Sequence, residues 1–394
     1  MSTGSAVGRE RPTVLYCVTV PMSAWTLLRG QLAYFRSRGY EVHLACAPGP
    51  ALAEVAGREG VTVHELPMDR EATSILRDLR SLAAMVSLMR HLRPDVVNAG
   101  TPKAGLLGML AARLTGVKAR VYVLRGLRLE TATGRTQRML TFAERLACRC
   151  AHRVVCVSES LREAAVRTGV VPADKTRVVG SGSSNGVEID RFRPDAELLD
   201  TVATLRDGLS LEPDARAVGF IGRLTRDKGI VELVEAFERL HAEDPERRLL
   251  LVGDVEDGDP LPDHTREFLH GHPGVVRTGF VPETAPYYQL MDVLCLPSHR
   301  EGFPNTPLEA AAAGRPTVTT DATGARDSVI DGQTGLVVPL GDVEALTEAL
   351  DALLTDRQTS RRMGTEAQRR AIEEFSPERV WSGLDGVYRE LLDR

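Results

Sequence analysis

Short apolar runs rich in β-branched residues recur along the chain, and each is followed by a turn and a stretch whose apolar positions have helical spacing. In the first half these runs are 13–20, 40–47, 61–67, 94–100, 119–126, 152–158 and 176–180. After a polar stretch they restart at 217–224, 247–254, 275–280, 292–298, 316–321 and 335–339, and a final helix begins at Ser376-Pro377. This alternation predicts parallel sheets covered by helices on both faces.

Two successive series of this kind predict an α/β protein with two doubly wound, Rossmann-like domains facing each other across a cleft. The length of 394 residues suits two domains. The predicted parts are a disordered tail (1–11), an N-terminal domain (12–195), a linker (196–215), a C-terminal domain (216–375) and a helix (376–394) that returns to the first domain. Ligands of such folds bind beyond the carboxyl ends of the strands, so the cleft is the candidate site.

Composition narrows the class of protein. Hydrophobic residues make up 43% and charged residues 26% of the chain, as in ordinary globular proteins. No apolar run approaches the length of a membrane span, and the opening MSTGSAVGRER lacks the apolar core of a secretory signal. The six cysteines are scattered through apolar stretches without the paired spacing of a zinc site. These features predict a cytoplasmic protein with reduced thiols.

Charge is divided unevenly along the chain. Residues 1–200 hold 28 basic and 19 acidic side chains, whereas the remainder holds 21 and 35. Nine basic and two acidic residues lie in the segment 118–153, where Arg135, Arg138, Arg145 and Arg149 share one helical face with Phe142. This face is either an arginine-rich solvated surface or a peripheral contact with the anionic inner face of a membrane. The acidic total of −5 and the absence of interleaved aromatic residues disfavour a nucleic-acid partner.

The stretch HREGFPNTPLEAAAAG (299–314) places Glu301 in a loop and Glu309 near the start of an alanine-rich helix. Thr306-Pro307-Leu308-Glu309 has the form of a capping box with proline at the first helical position, which predicts that Glu309 reaches back to an N-cap amide. The alternative is that the helix N-terminus faces an anionic ligand, with both carboxylates accepting hydrogen bonds from sugar hydroxyls. The pattern alone leaves both interpretations open.

A second candidate group follows the strand 217–224. In GRLTRDKG (222–229), Arg223 lies at the strand's end and Lys228 is expected where the next helix begins. A lysine in the first helical turn opposes the helix dipole, so it needs solvent or an anionic partner. The pair is therefore either a solvated surface pair or a clamp for a diphosphate.

In combination these motifs resemble a known family. The order GRLTRDKG, LLLVGD, TGFVP and SHREGFPNTPLEAAAAGRPTVTTDATGARDSVIDGQTGLVVP is similar to the donor-binding domain of family-four retaining glycosyltransferases, which have the two-domain GT-B fold. The N-terminal segments TPKAGLLGMLAARLTGVKARVYVLRGL and GSGSSNGVEIDRF resemble bacterial members that act on polyprenyl-diphosphate-linked glycans.

The resemblance implies roles for particular residues. Arg223 and Lys228 would bind the donor diphosphate, Glu309 would hold the nucleotide ribose, and Glu301 would contact the transferred sugar. The implied catalytic residues are Arg223, Lys228 and Glu301. Donor-binding positions would also include Gly222, Gly302, Phe303, Asn305, Thr306 and Glu309. No metal and no cofactor beyond the donor substrate is expected.

The acceptor side is expected to involve Asn98, Thr101, Lys103 and Arg125. Many relatives have a histidine after the fourth strand and a glycine pair in the first loop. This chain instead has Asn98-Ala99-Gly100-Thr101 and Pro21-Met22-Ser23-Ala24 at those places.

The resulting hypothesis is retaining transfer of a hexose or N-acetylhexosamine from a nucleoside diphosphate sugar, with UDP first among the carriers. The acceptor is a hydroxyl group of either a polyprenyl-linked glycan or a small-molecule, natural-product-like alcohol. One alternative is a sugar-nucleotide epimerase or hydrolase of the same fold. Another is a non-catalytic sugar-nucleotide-binding partner protein that has lost the chemistry at Asn98–Thr101.

Three other motifs are less informative. GSSNG (182–186) matches a nucleophile elbow, but the following VEIDRF is not helix-like. Asp257-Gly258-Asp259 resembles a metal-binding D-x-D in an acidic loop, and a metal there is disfavoured. Interpreting the two glutamates as a glycosidase pair leaves Arg223 and Lys228 without a role.

Overall fold

A computed structural model describes residues 11–68, 75–212, 214–256 and 258–394. The predicted tail, apart from Arg11, lies outside these residues, as does Asp257 of the D-x-D pattern. The chain divides into two units. The first contains the described residues as far as Val157, together with Arg162–Gly180 and Pro377–Arg394, and the second contains Ser158–Leu161 and Ser181–Ser376.

The first unit is built on a parallel sheet with the strand order β3-β2-β1-β4-β5-β6-β7. Its strands are β1 (Thr13–Cys17), β2 (Glu41–Cys46), β3 (Thr62–Glu65), β4 (Val96–Ala99), β5 (Ala119–Leu124), β6 (Arg153–Cys156) and β7 (Thr176–Val178). The strand order reverses between β1 and β4. In doubly wound sheets this reversal creates a crevice at the carboxyl ends of the two strands.

The second unit repeats the arrangement, with the order β10-β9-β8-β11-β12-β13 and parallel pairing throughout. Its strands are β8 (Arg216–Ile221), β9 (Arg247–Val252), β10 (Val275–Gly279), β11 (Val293–Leu296), β12 (Thr317–Thr320) and β13 (Gly335–Val338). The reversal here lies between β8 and β11. Buried residues such as Phe220, Phe237 and Leu350 form the core between this sheet and its helices.

Helices connect the strands and cover both sheets. Their bounds are α1 (Pro21–Leu27), α2 (Gln31–Ser37), α3 (Ala51–Glu59), α4 (Ile75–Leu92), α5 (Pro102–Leu114), α6 (Gly134–Cys150), α7 (Glu159–Arg167), α8 (Ile189–Phe192), α9 (Ala196–Gly208), α10 (Ile230–Glu243), α11 (Asp263–Gly271), α12 (Ala285–Leu290), α13 (Asn305–Ala312), α14 (Val343–Thr355), α15 (Arg357–Glu374) and α16 (Pro377–Leu392).

These elements confirm the predicted fold class, because every apolar run contains one strand of a parallel sheet. The strands are shorter than the runs, mainly at their carboxyl ends. The first run continues to Val20, whereas β1 ends at Cys17. Val18 and Thr19 remain buried beyond the strand. The Val18 amide still donates to the Ala45 carbonyl and the Thr19 carbonyl accepts from the Ala47 amide, both at 3.1 Å, so the apolar pattern follows backbone pairing that continues past the regular strand.

The boundary between the parts differs from the prediction. Residues 181–195, predicted to belong to the first domain, group with the second unit. The reason is that Phe192 is buried edge-on against Tyr288, with ring centroids 5.6 Å apart. The predicted linker 196–215 contains α9, whose N-cap Asp195 accepts a hydrogen bond from the Leu198 amide at 2.8 Å. Leu211 is also buried, so this segment is packed structure rather than a tether.

Helix α16 groups with the first unit. Its Tyr388 hydroxyl accepts a hydrogen bond from Asn98 Nδ2 at 2.5 Å and donates one to the Tyr16 hydroxyl at 3.0 Å. Tyr40 donates to Asp385 of the same helix at 2.7 Å. Trp381 packs against Tyr34 and lies so close to Gly30 that a Cβ there would be 2.8 Å from its ring. The helix is therefore an integral layer of the first unit's core.

Replacing Trp381 by Ala is expected to lower the free energy of unfolding of the first unit by about 3 to 5 kcal/mol, the usual cost of emptying a buried aromatic site. Urea unfolding followed by tryptophan fluorescence measures this, since Trp25 and Trp381 both belong to the first unit. Phe142→Ala is the control because that ring is exposed. Equal midpoints for the two variants would contradict the packing role of α16.

Candidate functional site

The residues predicted to bind a donor lie where the second sheet reverses its strand order. Strands β8 and β11 are neighbours there, and both run in the same direction. The loop after β8 carries Gly222, Arg223 and Lys228, and the loop after β11 carries Glu301 through Pro304. Because parallel strands present their carboxyl ends at one edge, the two predicted groups meet at the topological switch point.

The two loops are joined by ionic and hydrogen-bond contacts. Lys228 Nζ lies 2.5 Å from Glu301 Oε1, and the two side chains are only 20% and 13% exposed. The His299 amide donates to the Asp227 carbonyl at 2.9 Å. Arg300 lies 3.7 Å from the Asp227 carboxylate. These contacts hold Lys228 and Glu301 beside one another.

Glycines allow the backbones of these loops to approach one another. Gly229 has φ +73°, and a Cβ there would lie 2.1 Å from the Pro297 carbonyl oxygen. Gly324 has φ +78°, and its Cβ would lie 2.3 Å from the Gly302 carbonyl oxygen. Both contacts are far shorter than a side chain tolerates, and both backbone conformations favour glycine.

Lys228 does not occupy the predicted first turn of a helix. It ends a short 3₁₀ segment, Arg226–Lys228, and Gly229 then separates it from α10. The expectation that Lys228 opposes a helix dipole is therefore wrong. Its electrostatic partners are instead Glu301 and Asp227. Burial acts to raise the pKa of Asp227, but a hydrogen bond from Thr225 and the charges of Lys228, Arg223 and Arg300 outweigh it and lower that pKa.

Arg223 is engaged by a carboxylate. Its guanidinium pairs with Glu256, and both side chains are well exposed, at 47% and 41%. Asp259, further along the same acidic loop, accepts a hydrogen bond from the Asp227 amide at 2.8 Å. Among the described residues no group of three or more histidine, cysteine, aspartate or glutamate side chains is arranged to hold a metal ion. In this structure the acidic loop contacts the predicted phosphate-binding turn.

Helix α13 differs from the predicted capping box. It begins at Asn305, with Pro304 in the N-cap position and no side-chain cap, so Thr306 and Pro307 are already inside the helix. Glu309 instead accepts a hydrogen bond from the Tyr288 hydroxyl at 2.6 Å. Burial raises the pKa of Glu309. The capping interpretation is wrong, and the first-turn amides of Asn305 and Thr306 have no partner within the helix.

Two serines that the sequence patterns did not single out support the loop after β11. Ser158 Oγ donates to the Gly302 carbonyl at 2.7 Å. Ser160 Oγ accepts a hydrogen bond from the Gly324 amide at 2.7 Å and donates to the Asp327 carboxylate. Both serines are buried, as are Gly302 and Phe303. They fix the backbone from which Glu301 and Asn305 project.

Comparison with known proteins identifies the family. The profile of "Glycosyl transferases group 1" matches residues 215–356, and that of "Glycosyl transferase 4-like domain" matches residues 23–182. The capsular polysaccharide biosynthesis glycosyltransferase CapM of Staphylococcus aureus is 34% identical over 379 residues, covering 96% of this chain and 97% of that protein. The chain is a member of the family-four type of glycosyltransferases.

More distant relatives agree with this assignment. An Escherichia coli UDP-Gal:alpha-D-GlcNAc-diphosphoundecaprenol alpha-1,3-galactosyltransferase is 24% identical, over 81% of each chain. Alr3699/HepE of Anabaena, solved in complex with UDP and glucose, superposes on this glycosyltransferase with a TM-score of 0.80. The match has 22% identity and covers 96% of this chain and all of that one. The structural likeness shows the GT-B fold, which confirms the expected architecture.

The four residues predicted for the acceptor side of the glycosyltransferase lie near the carboxyl ends of β4 and β5. The Thr101 hydroxyl bonds to the Thr19 amide at 2.9 Å and to the Thr19 hydroxyl at 2.7 Å. Lys103 pairs with Asp78 at 3.0 Å. Arg125 donates to the Gly100 carbonyl at 2.6 Å, and burial lowers its pKa to about 10. These three remain candidates for an acceptor site.

Asn98 differs from the other three. It is only 2% exposed, and its amide is committed to Tyr388 in the core of the first unit. The prediction that Asn98 contacts an acceptor is corrected accordingly. In this structure the Asn98 side chain holds α16 through Tyr388.

The predicted basic helix corresponds to α6. Arg135, Arg138, Met139 and Phe142 are exposed on it, and these four residues are called the α6 surface below. Arg145 instead donates to the carbonyls of Gly169 and Thr168, at 2.9 and 3.1 Å, so it braces a loop. None of the helices in the described residues combines the length and the apolar character needed to cross a bilayer.

Replacing Gly229 by Ala is expected to push the loop after β8 away from Pro297, because the new Cβ would overlap the carbonyl oxygen. We expect transferase activity to fall at least about tenfold, with a lower melting temperature from the strained backbone. Gly271→Ala is the control, since nothing lies within 4 Å of its Cβ position and its φ is ordinary. Unchanged activity in Gly229→Ala would show that the close approach is unimportant.

Proposed function

We propose that the glycosyltransferase is a retaining enzyme that moves a hexose or N-acetylhexosamine from a UDP-sugar to a hydroxyl of a polyprenyl-diphosphate-linked glycan. The observation that supports it most is the Lys228–Glu301 pair at the switch point of the second sheet. A cation for the leaving diphosphate and a carboxylate for the sugar hydroxyls are held side by side there. The diphosphate and the sugar of the donor would therefore be bound by two neighbouring side chains.

Cleavage of the anomeric bond places negative charge on the departing diphosphate. Lys228 and Arg223 would stabilise that charge, with Arg223 exchanging Glu256 for a phosphate oxygen. The first-turn amides of α13, which have no partner within the helix, would add a positive dipole end. Gly222, Gly302 and Phe303 would contribute backbone contacts, and Glu309 would hold the ribose. We propose that these groups make a metal ion unnecessary.

The proposed stereochemistry is the one that the family resemblance implies, and the place of Glu301 is compatible with it. Its carboxylate is paired with Lys228, which suits it to binding hydroxyls of the sugar rather than to attacking the anomeric carbon. The acceptor hydroxyl would attack on the face from which the diphosphate departs, and a donor phosphate oxygen would accept the acceptor's proton. Such a step retains the anomeric configuration without a covalent intermediate.

The acceptor proposal rests on the relatives. One is named for capsular polysaccharide biosynthesis and another for transfer to a diphosphoundecaprenol-linked sugar. Both names fit a glycan built on a lipid carrier. Thr101, Lys103 and Arg125 supply a hydroxyl and two cations near the strand ends of the first unit, which suits an acceptor that carries a diphosphate.

The direct test incubates the purified protein with UDP-glucose, UDP-galactose and their N-acetyl forms, with and without a polyprenyl-diphosphate-linked N-acetylglucosamine. We expect a glycosylated lipid whose new bond, by NMR, has the donor's anomeric configuration, and we expect EDTA to have no effect. A changed nucleotide sugar without acceptor would favour the epimerase. UDP-sugar binding without turnover across an acceptor panel would favour the non-catalytic partner.

Replacing Lys228 by Ala is expected to lower kcat at least about a hundredfold, because one preorganised charge contact to the leaving group is lost. The circular dichroism spectrum should stay unchanged. Arg266→Ala is the matched control, since it removes an exposed cation of the same unit whose partner among the described side chains is Asp263. Near-normal turnover in Lys228→Ala would remove the charge-clamp proposal.

A lipid-linked acceptor requires the enzyme to reach a membrane surface, and we propose that the α6 surface makes this contact. Co-sedimentation with vesicles containing phosphatidylglycerol tests it. The double variant Arg135→Ala/Arg138→Ala is expected to bind about thirtyfold more weakly, since each of the two arginines near an anionic surface contributes on the order of 1 kcal/mol. Arg361→Ala/Arg362→Ala removes the same charge from exposed positions on α15. Equal losses in both double variants would point to net charge alone.

A further inference from the structure

We propose that Tyr288 is a positioning residue for the donor: its hydroxyl holds the Glu309 carboxylate in the orientation that accepts hydrogen bonds from the ribose. The inference rests on the proposed function, in which Glu309 binds the ribose. It adds a residue that neither the sequence motifs nor the resemblance assigned to the site.

Tyr288 is a rigid hydrogen-bond donor. Its side chain is fully buried, with its ring edge-on to Phe192 at an interplanar angle of 80°. Burial, and then the neighbouring Glu309, raise the pKa of Tyr288 well above its usual range. The phenol therefore keeps its proton. It donates to Glu309 Oε2 at 2.6 Å, a short distance typical of a bond to a carboxylate.

The two carboxylate oxygens of Glu309 have different surroundings. Oε2 is bonded to Tyr288, whereas no hydrogen bond from the described residues reaches Oε1. The Glu309 side chain is also partly exposed, unlike Tyr288 behind it. One face of the carboxylate is thus anchored in the protein and the other is presented to a ligand. Oε1 is not among the buried side-chain atoms that lack a partner, so it is open to solvent, where a ligand hydroxyl can reach it.

Helix α12, which carries Tyr288, is fixed at both ends. Glu283 Oε1 accepts from the Ala285 amide at 3.0 Å and pairs with Arg191 at 2.9 Å. Gln289 Nε2 donates to the Phe192 carbonyl at 3.1 Å and to the Ala313 carbonyl at 3.4 Å. The Tyr288 hydroxyl is therefore held in one place, and its hydrogen bond favours the Glu309 rotamer that reaches it.

Tyr288 also affects the protonation of Glu309. Burial raises the pKa of Glu309, and the hydrogen bond from Tyr288 and the charge of Arg191 oppose that rise. Removing the hydroxyl leaves the effect of burial less opposed, so the pKa of Glu309 rises further. The carboxyl would then take up a proton at a higher pH and lose one acceptor oxygen.

The test measures binding of UDP, 2′-deoxy-UDP and 3′-deoxy-UDP by calorimetry. The proteins are the wild type, Tyr288→Phe, Glu309→Ala and Tyr287→Phe. The last removes a hydroxyl from the same helix and is the matched control. We expect Tyr288→Phe to weaken UDP binding about tenfold, the usual effect of a hydrogen bond to a charged group, and to reduce the preference for UDP over the deoxy forms. Tyr287→Phe should match the wild type.

A second measurement separates positioning from mere packing. As the pH is lowered, UDP affinity should be lost at a higher pH in Tyr288→Phe than in the wild type, because the pKa of Glu309 is higher. If Glu309→Ala loses the ribose preference while Tyr288→Phe keeps the wild-type affinity and pH profile, the role of Tyr288 is overturned and the proposed function stands. If the wild type binds UDP and both deoxy forms equally, the ribose contact of Glu309 itself fails.

Discussion

The contact between Gly229 and the Pro297 carbonyl is the constraint on which the donor site depends. A carbonyl oxygen occupies the place of a side chain, so the turn after β8 and the loop after β11 touch through their backbones. At this separation Lys228 pairs with Glu301, the His299 amide donates to the Asp227 carbonyl, and the His299 ring lies 2.7 Å from Glu232. A left-handed glycine thus converts two adjacent strand ends into one binding surface.

Lys228 and Arg223 are each paired with a carboxylate, so in the proposed donor complex a diphosphate would exchange partners with these carboxylates rather than enter an open positive field. The free-energy cost of separating the pair differs between Arg223–Glu256 and Lys228–Glu301. An exposed pair such as Arg223–Glu256 contributes about 1 kcal/mol or less, so a phosphate can displace Glu256 at little cost. Lys228 and Glu301 are less exposed, and separating them would leave a poorly solvated charge. Arg223 therefore suits recognition of the donor, whereas Lys228 and Glu301 suit binding as a unit.

Sequence predicted the sheets because the inner strands are buried and therefore appear as apolar runs, while the less buried edge strands β3, β7 and β10 still contain β-branched residues. It predicted the two loops because their charges follow such runs directly. It failed at Glu309, where Thr306 and Glu309 have capping-box spacing, but Pro304 already sets the extended backbone and α13 starts at Asn305. It could not predict Ser158, whose partner Gly302 lies 144 residues away, or Tyr288, whose role requires knowing that α12 packs beside α13. Contacts of this kind leave no local pattern.

Asn98 has a structural role in the first unit. The side-chain amide of Asn98 is a hydrogen-bond donor that does not titrate. It donates to the Tyr388 hydroxyl, which in turn donates to the Tyr16 hydroxyl. Each of these groups is buried, so each would carry a desolvation cost if its partner were lost. The network therefore stabilises α16 against the first sheet most strongly when all three members are present. Any acceptor chemistry in this unit must then come from groups nearer the surface, such as Arg125, whose pKa of about 10 still leaves it a cation at neutral pH.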